Sequence, residues 1–134
     1  MTNNNLTLLP DPFILLQSEN GFKPCSSRSW SRDIKKIYAN RCFISGLSQN
    51  ETKIASHHLY SKNSHRLLEY SLLNGVALSV DLHKHFHKKC GMNATPLHLI
   101  SYIDIYYPQQ NQNQCLSNWI NFLNQEMLKG YDCF

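Results

Sequence analysis

Six of the seven histidines of this 134-residue chain lie close together in the sequence. They are His57, His58, His65, His83, His85 and His87. His83 and His87 are four positions apart, so a helix would place both imidazoles on one face, where they can share an ion. Imidazole is the commonest metal ligand in proteins and is also a base that works near neutral pH. The cluster therefore predicts a metal site, although each histidine taken alone is typical of an ordinary polar surface.

Basic residues surround this cluster. The chain carries 13 Lys and Arg against 9 Asp and Glu, which gives a net charge of +4. All of the basic residues except Lys129 lie between Lys23 and Lys89, and both ends of the chain are acidic. A basic middle segment suits a polyanion partner such as nucleic acid. The alternative is a solvated basic face without a partner.

The length is that of one domain, and the composition excludes collagen-like, coiled-coil and wholly disordered chains. No apolar run is long enough to span a membrane, and the first residues show neither a secretory nor a transit signal. We therefore expect an intracellular protein that is not secreted. The abundance of asparagine suggests an AT-rich genome, such as that of an organelle (a chloroplast, for example) or a phage, and a prokaryotic cytoplasm is equally compatible. The five cysteines form no Cys-x-x-Cys pair, which argues against a thiolate zinc site.

Local patterns predict the elements that must position these side chains. Residues 1–27 lack sustained periodicity and predict a flexible N-terminal arm. Residues 30–38 show helical spacing of apolar side chains and predict an amphipathic helix. Residues 41–44 and 54–60 predict two strands, which the polar residues 47–53 can join into a hairpin.

The remainder of the chain predicts helices separated by short connections. Asn74 and Gly75 form a strong turn signal before a short apolar run. Asp81 can cap a helix that runs to about residue 89, and Gly91 stands where a helix commonly ends. Two further helices are predicted at 97–106 and 116–128, with a Gln- and Asn-rich linker at 109–114.

In chain order, the sequence carries Ser56-His57-His58-Leu59, then Asn74-Gly75-Val76-Ala77-Leu78, then His83-x-x-Phe86-His87. This ordered triple resembles the motif of the HNH endonucleases, the ββα-metal nuclease family, and most of all that of their small homing-type members. Trp30 and residues 41–46 are similar to the lead-in often seen in this family. The resemblance covers approximately residues 30–95.

The resemblance implies a fold and a domain organisation. The fold class is α+β, with a small ββα-metal core and flanking helices. The core would lie at 41–91 within a nuclease domain of residues 28–134, and the C-terminal helices at 95–130.

The resemblance also implies a role for each matching residue. His57 and His83 match metal ligands, and His87 matches either a third ligand or a group near the scissile phosphate. His58 matches the general base that activates the attacking water. Asn74 matches the asparagine that pins the loop and thereby orients the base.

The implied activity is metal-dependent hydrolysis of phosphodiester bonds in double-stranded DNA. Such hydrolysis needs a water nucleophile, a base to take its proton, and positive charge on the phosphate. A neutral histidine and a divalent cation supply these, and Lys and Arg side chains hold the phosphate backbone. Mg²⁺ is the first expectation for the ion, with Mn²⁺ or Zn²⁺ as alternatives. A homodimer is compatible with the small size.

Two features differ from the pattern of the family. The paired Cys-x-x-Cys ligands of a structural zinc, which many members carry, are missing, so the fold must rest on its core and flanking helices. In addition, successive strand residues point to opposite faces, so His57 and His58 can serve one site only if the strand ends or bulges there.

Two other functions remain open from the sequence. One is a non-catalytic nucleic-acid-binding module on an HNH scaffold, which would bind but not hydrolyse. The other is a structural zinc domain that uses His57, His83 and His87. Chelation separates the second from an enzyme, because a structural site loses its fold, whereas a catalytic site loses activity with helicity retained.

Overall fold

A computed structural model of the chain describes residues 26–63, 65–108 and 112–131. In chain order its elements are the helix α1 (Ser27–Ile37), the strand β1 (Ile54–His58), two 3₁₀ turns (Arg66–Leu68 and Leu72–Asn74), the strand β2 (Gly75–Ser79), and the helices α2 (Val80–Cys90), α3 (Pro96–Tyr106) and α4 (Gln112–Tyr131). The predicted α+β class is confirmed. Almost all of the predicted arm at 1–27 lies outside the described residues. Within the described ranges, no helix combines the length and the apolar character needed to cross a membrane.

The two strands form one antiparallel ladder. Ile54 pairs with Ser79 at one end, and His58 pairs with Gly75 at the other. A two-stranded sheet is marginally stable in water, so it needs helices packed against it. Here α1 and α2 both pack against the strands, and α3 and α4 extend the core beyond them.

The hairpin predicted between residues 41–44 and 54–60 is wrong. Around 41–44 the backbone makes only an isolated bridge between Arg41 and Ser48, and β1 pairs instead with β2. Cys42, Phe43 and Ile44 are all fully buried, and a tight turn keeps them from extending as a strand, because the Gly46 amide donates to the Cys42 carbonyl at 2.8 Å. The chain turns back immediately after them, and the Phe43 amide donates to the Ala77 carbonyl of β2 at 3.0 Å. The apolar run therefore fills the core beside the sheet and does not form a strand with residues 54–60.

The conformation of Asn74 and Gly75 also differs from the turn that the sequence predicts, since they form no hairpin turn. Asn74 ends a 3₁₀ turn, and Gly75 begins β2 in an extended conformation with φ of −138° and ψ of 150°. The glycine is required by packing, because Trp30 and Ile34 of α1 lie directly over it. The turn dipeptide thus marks the place where a helix approaches the strand closely.

The ends of the helices follow from local hydrogen bonds. Ser79, and not Asp81, caps α2, because the Ser79 hydroxyl accepts from the Leu82 amide at 3.3 Å. Asp81 lies in the first turn, where a negative charge stabilises the helix dipole. Gly91 follows the last helical residue with φ of +87°, as its position predicted. The helix α4 begins at Gln112, inside the predicted linker at 109–114.

A single buried cluster joins these elements. Trp30 and Ile34 of α1 pack on the sheet, and Phe86 of α2 lies fully buried on its other side, toward α3. From α4, Trp119 is buried, and its indole nitrogen donates to the Leu73 carbonyl at 2.8 Å. The ends of β1 and β2 nearest His58 and Gly75 are therefore held by helices from both halves of the chain.

The close approach at Gly75 can be tested by replacing Gly75 with Ala. An added Cβ would lie 2.6 Å from Cδ1 of Ile34 and 2.6 Å from Cζ2 of Trp30. We expect the free energy of unfolding to fall by about 1–3 kcal/mol because of overpacking, measured by urea denaturation. The additional change Ile34→Ala removes the contacts with Ile34 and leaves the one with Trp30, so the two effects should be non-additive.

The substitution Gly46→Ala is the control for this prediction. Gly46 has φ of +79° and open space around its Cα, so its replacement by Ala costs backbone strain alone. Its effect should add to that of Ile34→Ala without coupling. Simple additivity for the Gly75 pair would contradict the packing argument.

Candidate metal centre

Three histidines from two elements meet at one point. His57 lies near the end of β1, and His83 and His87 lie one turn apart on α2. Nδ1 of His57 is 3.2 Å from Nε2 of His83, which is 3.0 Å from Nε2 of His87. All three ligand atoms lie within 4.8 Å of one another. The structure therefore brings together the three residues predicted as ligands, and they can hold a metal ion.

Two of the three separations between the nitrogen atoms fit a shared ion, and the third is bounded only by the 4.8 Å that encloses the set. An ion bound to nitrogen at about 2.0–2.1 Å keeps neighbouring ligand atoms roughly 3.0–3.4 Å apart. The two short separations here, 3.2 and 3.0 Å, fall in that range. Nδ1 of His87 donates to the Gly91 carbonyl at 2.9 Å, so a neutral His87 ring has its lone pair at Nε2, facing His83. Ligating histidines are commonly oriented by such a bond on the second nitrogen.

The protonation states also fit a metal ligand set. The His57 side chain is buried, and burial lowers its pKa well below the usual range, with His83 and His87 lowering it further. Burial lowers the pKa of His83 to about 4, and the adjacent His87 contributes to that shift. Both rings are thus neutral at pH 7. Because a histidine must be deprotonated to bind a metal, their lone pairs are available.

His58 lies beside these ligands but in different surroundings. His58 is the last residue of β1 and packs toward α1, whereas His57 packs toward α2, yet both side chains line one cleft. The ring stacks on the Trp30 indole, with centroids 3.8 Å apart and planes 6° from parallel. Nε2 is 2.8 Å from the Glu69 carbonyl. A carbonyl can only accept, so Nε2 carries the hydrogen and a neutral ring keeps its lone pair at Nδ1.

The pKa of His58 supports the same state. Burial lowers this pKa, the bond to the Glu69 carbonyl opposes that shift, and the charge of Lys62 lowers it further. The ring is therefore neutral near pH 7 and has a nitrogen that can accept a proton. These are the properties that a general base requires.

Asn74 is fully buried, and its amide side chain makes three hydrogen bonds. Its Oδ1 accepts from the Tyr60 amide at 2.8 Å, and its Nδ2 donates to the Tyr60 carbonyl at 3.0 Å. The same nitrogen donates to the Leu68 carbonyl at 3.2 Å. These bonds tie the segment that leaves β1 to the turn just before Glu69. Asn74 thus braces the segment that carries the hydrogen-bond acceptor of His58.

The three candidate ligands and His58 line a single cleft. The other residues of its wall are Ser56, Ser61, Lys62, Asn63, Met92, Asn93 and Ala94. Among the described residues that line it, none is Asp or Glu, and Lys62 is the one Lys or Arg. The cleft is therefore suited to an anion, and it holds both a candidate metal site and a candidate base.

Three contributors to this site are not predicted from the sequence. Lys62 lies in the polar segment after β1, and the sequence shows it only as one of the basic residues between Lys23 and Lys89. Trp30 belongs to the predicted amphipathic helix and to the lead-in, and nothing in the sequence marks it as the surface on which His58 stacks. The Glu69 carbonyl is a backbone group and leaves no sequence signal.

The remaining histidines have other roles. His85 projects from another side of α2, and its Nδ1 is 2.6 Å from the Tyr102 hydroxyl. His98 completes the capping box of α3 with Thr95. His65 packs against the ring of Tyr60, with centroids 4.6 Å apart. Only part of the histidine cluster seen in the sequence therefore belongs to the cleft.

Comparison with known proteins gives no further guide to this site. No protein-family model, curated protein or solved structure matches the chain. The chemistry of the cleft is therefore argued from its own geometry.

The ligand assignment predicts one divalent ion per chain. We expect His83→Ala to weaken binding of Zn²⁺ or Co²⁺ by more than about 100-fold, because loss of a ligand should exceed the 10–100-fold typical of its supporting contacts. Isothermal titration calorimetry measures the affinity and the stoichiometry. His85→Ala is the matched control on the same helix and should bind like the wild type. Equal losses in the two variants would contradict the assignment.

The lowered pKa values predict a pH dependence of the metal-free protein. His57 and His83 resist protonation in the folded state, so below the unfolded pKa of about 6.5 the unfolded chain binds more protons. The free energy of unfolding should therefore fall as the pH decreases from about 6.5 toward 4, where His83 protonates in the folded protein. Urea denaturation in chelator at several pH values measures this. In His83→Gln the free energy of unfolding should change less steeply with pH over this range. The same pH dependence in the variant and the wild type would contradict the prediction.

Proposed function

We propose that this protein is a metal-dependent DNA endonuclease of the HNH type, which hydrolyses phosphodiester bonds. The observation that carries the proposal is the placement of His58. Its ring is neutral, its Nε2 is fixed on the Glu69 carbonyl, and it lines the same cleft as His57, His83 and His87. A base and a metal site in one cleft, with no carboxylate among the described residues of its wall, suit hydrolysis of an anionic diester.

Each side chain then has a distinct task. Nδ1 of His58 accepts the proton of the attacking water, while the stacked Trp30 and the Glu69 carbonyl keep the ring in one orientation. Asn74 holds the segment that positions Glu69. A divalent ion on the three other histidines would supply positive charge to the phosphate and the leaving 3′-oxygen. Lys62 adds a further positive charge in the cleft.

The ligand set bears on the choice of ion. Imidazole nitrogen suits Zn²⁺ and other transition metals, whereas Mg²⁺ prefers oxygen ligands. With three histidines grouped together, we favour Zn²⁺ over the Mg²⁺ expected first from the sequence, and Mn²⁺ shares the oxygen preference of Mg²⁺. The relative activity with each ion decides among them.

The two rival functions fit the geometry less well. A structural zinc site is typically closed by four protein ligands, whereas three histidines gather here on the wall of an open cleft. The buried core also extends through all four helices of the described chain, which argues against a fold held together by the metal alone. A non-catalytic binding module gives no reason for the orientation of His58.

Plasmid cleavage tests the proposed function. Purified protein should nick or linearise supercoiled plasmid in the presence of Zn²⁺, Mn²⁺ or Mg²⁺, and EDTA should abolish the reaction. His58→Ala should lower the cleavage rate by about 10²–10⁴-fold, the usual contribution of a general base. DNA binding and circular dichroism should remain close to those of the wild type.

His85→Ala is the control, because His85 lies outside the cleft and should leave cleavage intact. Normal cleavage by His58→Ala would exclude His58 as the base. If the wild type binds DNA but cleaves with no ion on any tested target sequence, the non-catalytic module replaces the endonuclease.

A further inference from the structure

The outer face of α1 carries a row of basic side chains. Arg28, Arg32 and Lys35 are spaced at i, i+4 and i+7, so they follow one another along a single helix face. The opposite face is buried through Trp30 and Ile34. The basic row is therefore fixed in direction, because the buried face prevents the helix from turning.

These three side chains line a groove on the surface. The other residues of its wall are Ser27, Ser31 and Asn40, which are neutral and can donate hydrogen bonds. Arg32 is 66% exposed, and its Nε lies 3.6 Å from the carboxylate of Asp33, whose side chain is only 18% exposed. Asp33 does not line the groove, so the groove itself presents three cations and no described acid.

The basic groove and the histidine cleft meet at one hydrogen-bonded pair. Ser31 lines the groove, and Ser56 of β1 lines the cleft. Ser56 Oγ donates to the Ser31 carbonyl at 2.7 Å, and the two hydroxyl oxygens are 3.2 Å apart. Ser56 immediately precedes the candidate ligand His57. A polymer that enters the cleft can therefore continue directly into the groove.

We propose that the DNA strand cut in the cleft continues along α1, with its phosphates bound by Arg28, Arg32 and Lys35. This inference rests on the proposed function. The three side chains span about 10 Å of helix, at a rise of about 1.5 Å per residue. One DNA strand carries a phosphate for about every 3.4 Å of its axis, so the row faces roughly three phosphates. The groove thus sets the direction in which the substrate lies across the site.

The position of α1 gives the groove a second consequence. The same helix carries Trp30, on which His58 stacks. A strand docked on one face of α1 and the candidate base held by the other face share one rigid support. The groove therefore orients the substrate relative to His58 and does more than raise its local concentration.

A charge-removal experiment tests the groove. Two triple variants are compared. The groove variant carries Arg28→Gln, Arg32→Gln and Lys35→Gln. The control variant carries Lys36→Gln, Lys53→Gln and Lys84→Gln, and it removes the same charge from exposed positions outside both the groove and the cleft. Binding of a labelled DNA duplex of about 20 base pairs, roughly two helical turns, is measured by fluorescence anisotropy in EDTA over a range of salt concentrations. Cleavage of the same DNA is measured with the ion that works best for the wild type.

The salt slope is the slope of the logarithm of the binding constant against the logarithm of the salt concentration. If the strand lies in the groove, this slope should be smaller in magnitude by about 3 for the groove variant, at about 0.9 per lost phosphate contact. The control slope should change by less than about 1, and only the groove variant should show a raised KM for cleavage. Equal salt slopes for the two variants, beside a wild type that binds and cleaves, would overturn the groove and leave the proposed function standing. A wild type that binds no DNA would overturn both.

Discussion

The buried amide of Asn74 links the parts of the molecule that hold the cleft. Its three hydrogen bonds reach Tyr60, just beyond β1, and the Leu68 carbonyl, in the first of the two 3₁₀ turns. The next carbonyl along that turn, from Glu69, accepts from His58. A buried donor or acceptor left without a partner costs about 1–3 kcal/mol, so this segment has little freedom to rearrange. The orientation of His58 therefore follows from a polar contact that never touches the cleft itself.

Trp30 makes the corresponding apolar connection. Its indole packs over Gly75, stacks on His58 and donates from Nε1 to the Ser71 carbonyl at 2.9 Å. One side chain thus fills the core, holds the His58 ring in place and donates a hydrogen bond to the segment before β2. The strand can approach α1 this closely only because position 75 has no Cβ. Core packing and the geometry of the site therefore depend on the same contacts.

The sequence predicted the candidate site better than it predicted the sheet. His83 and His87 could be paired from spacing alone, because a helix fixes the geometry of residues four apart. Residues 41–44 have a strand-like composition, but a tight turn and the contact of Phe43 with β2 decide their conformation, and strand propensity depends strongly on such context. At Asn74 and Gly75 a local turn signal was misleading, since the amide finds its partners elsewhere in the chain and the glycine is required by a distant helix. Nonlocal packing is invisible in a short sequence window.

The cleft contains histidines and no described carboxylate, and this has a consequence for its occupancy. Three neutral imidazoles leave the double charge of a divalent ion uncompensated, so an anion that reaches the ion gains a strong electrostatic partner. Thermodynamic reciprocity then requires that the anion raise the affinity for the ion by the same factor. Loading of the centre in a cell would accordingly follow the supply of the anionic ligand as well as that of the metal.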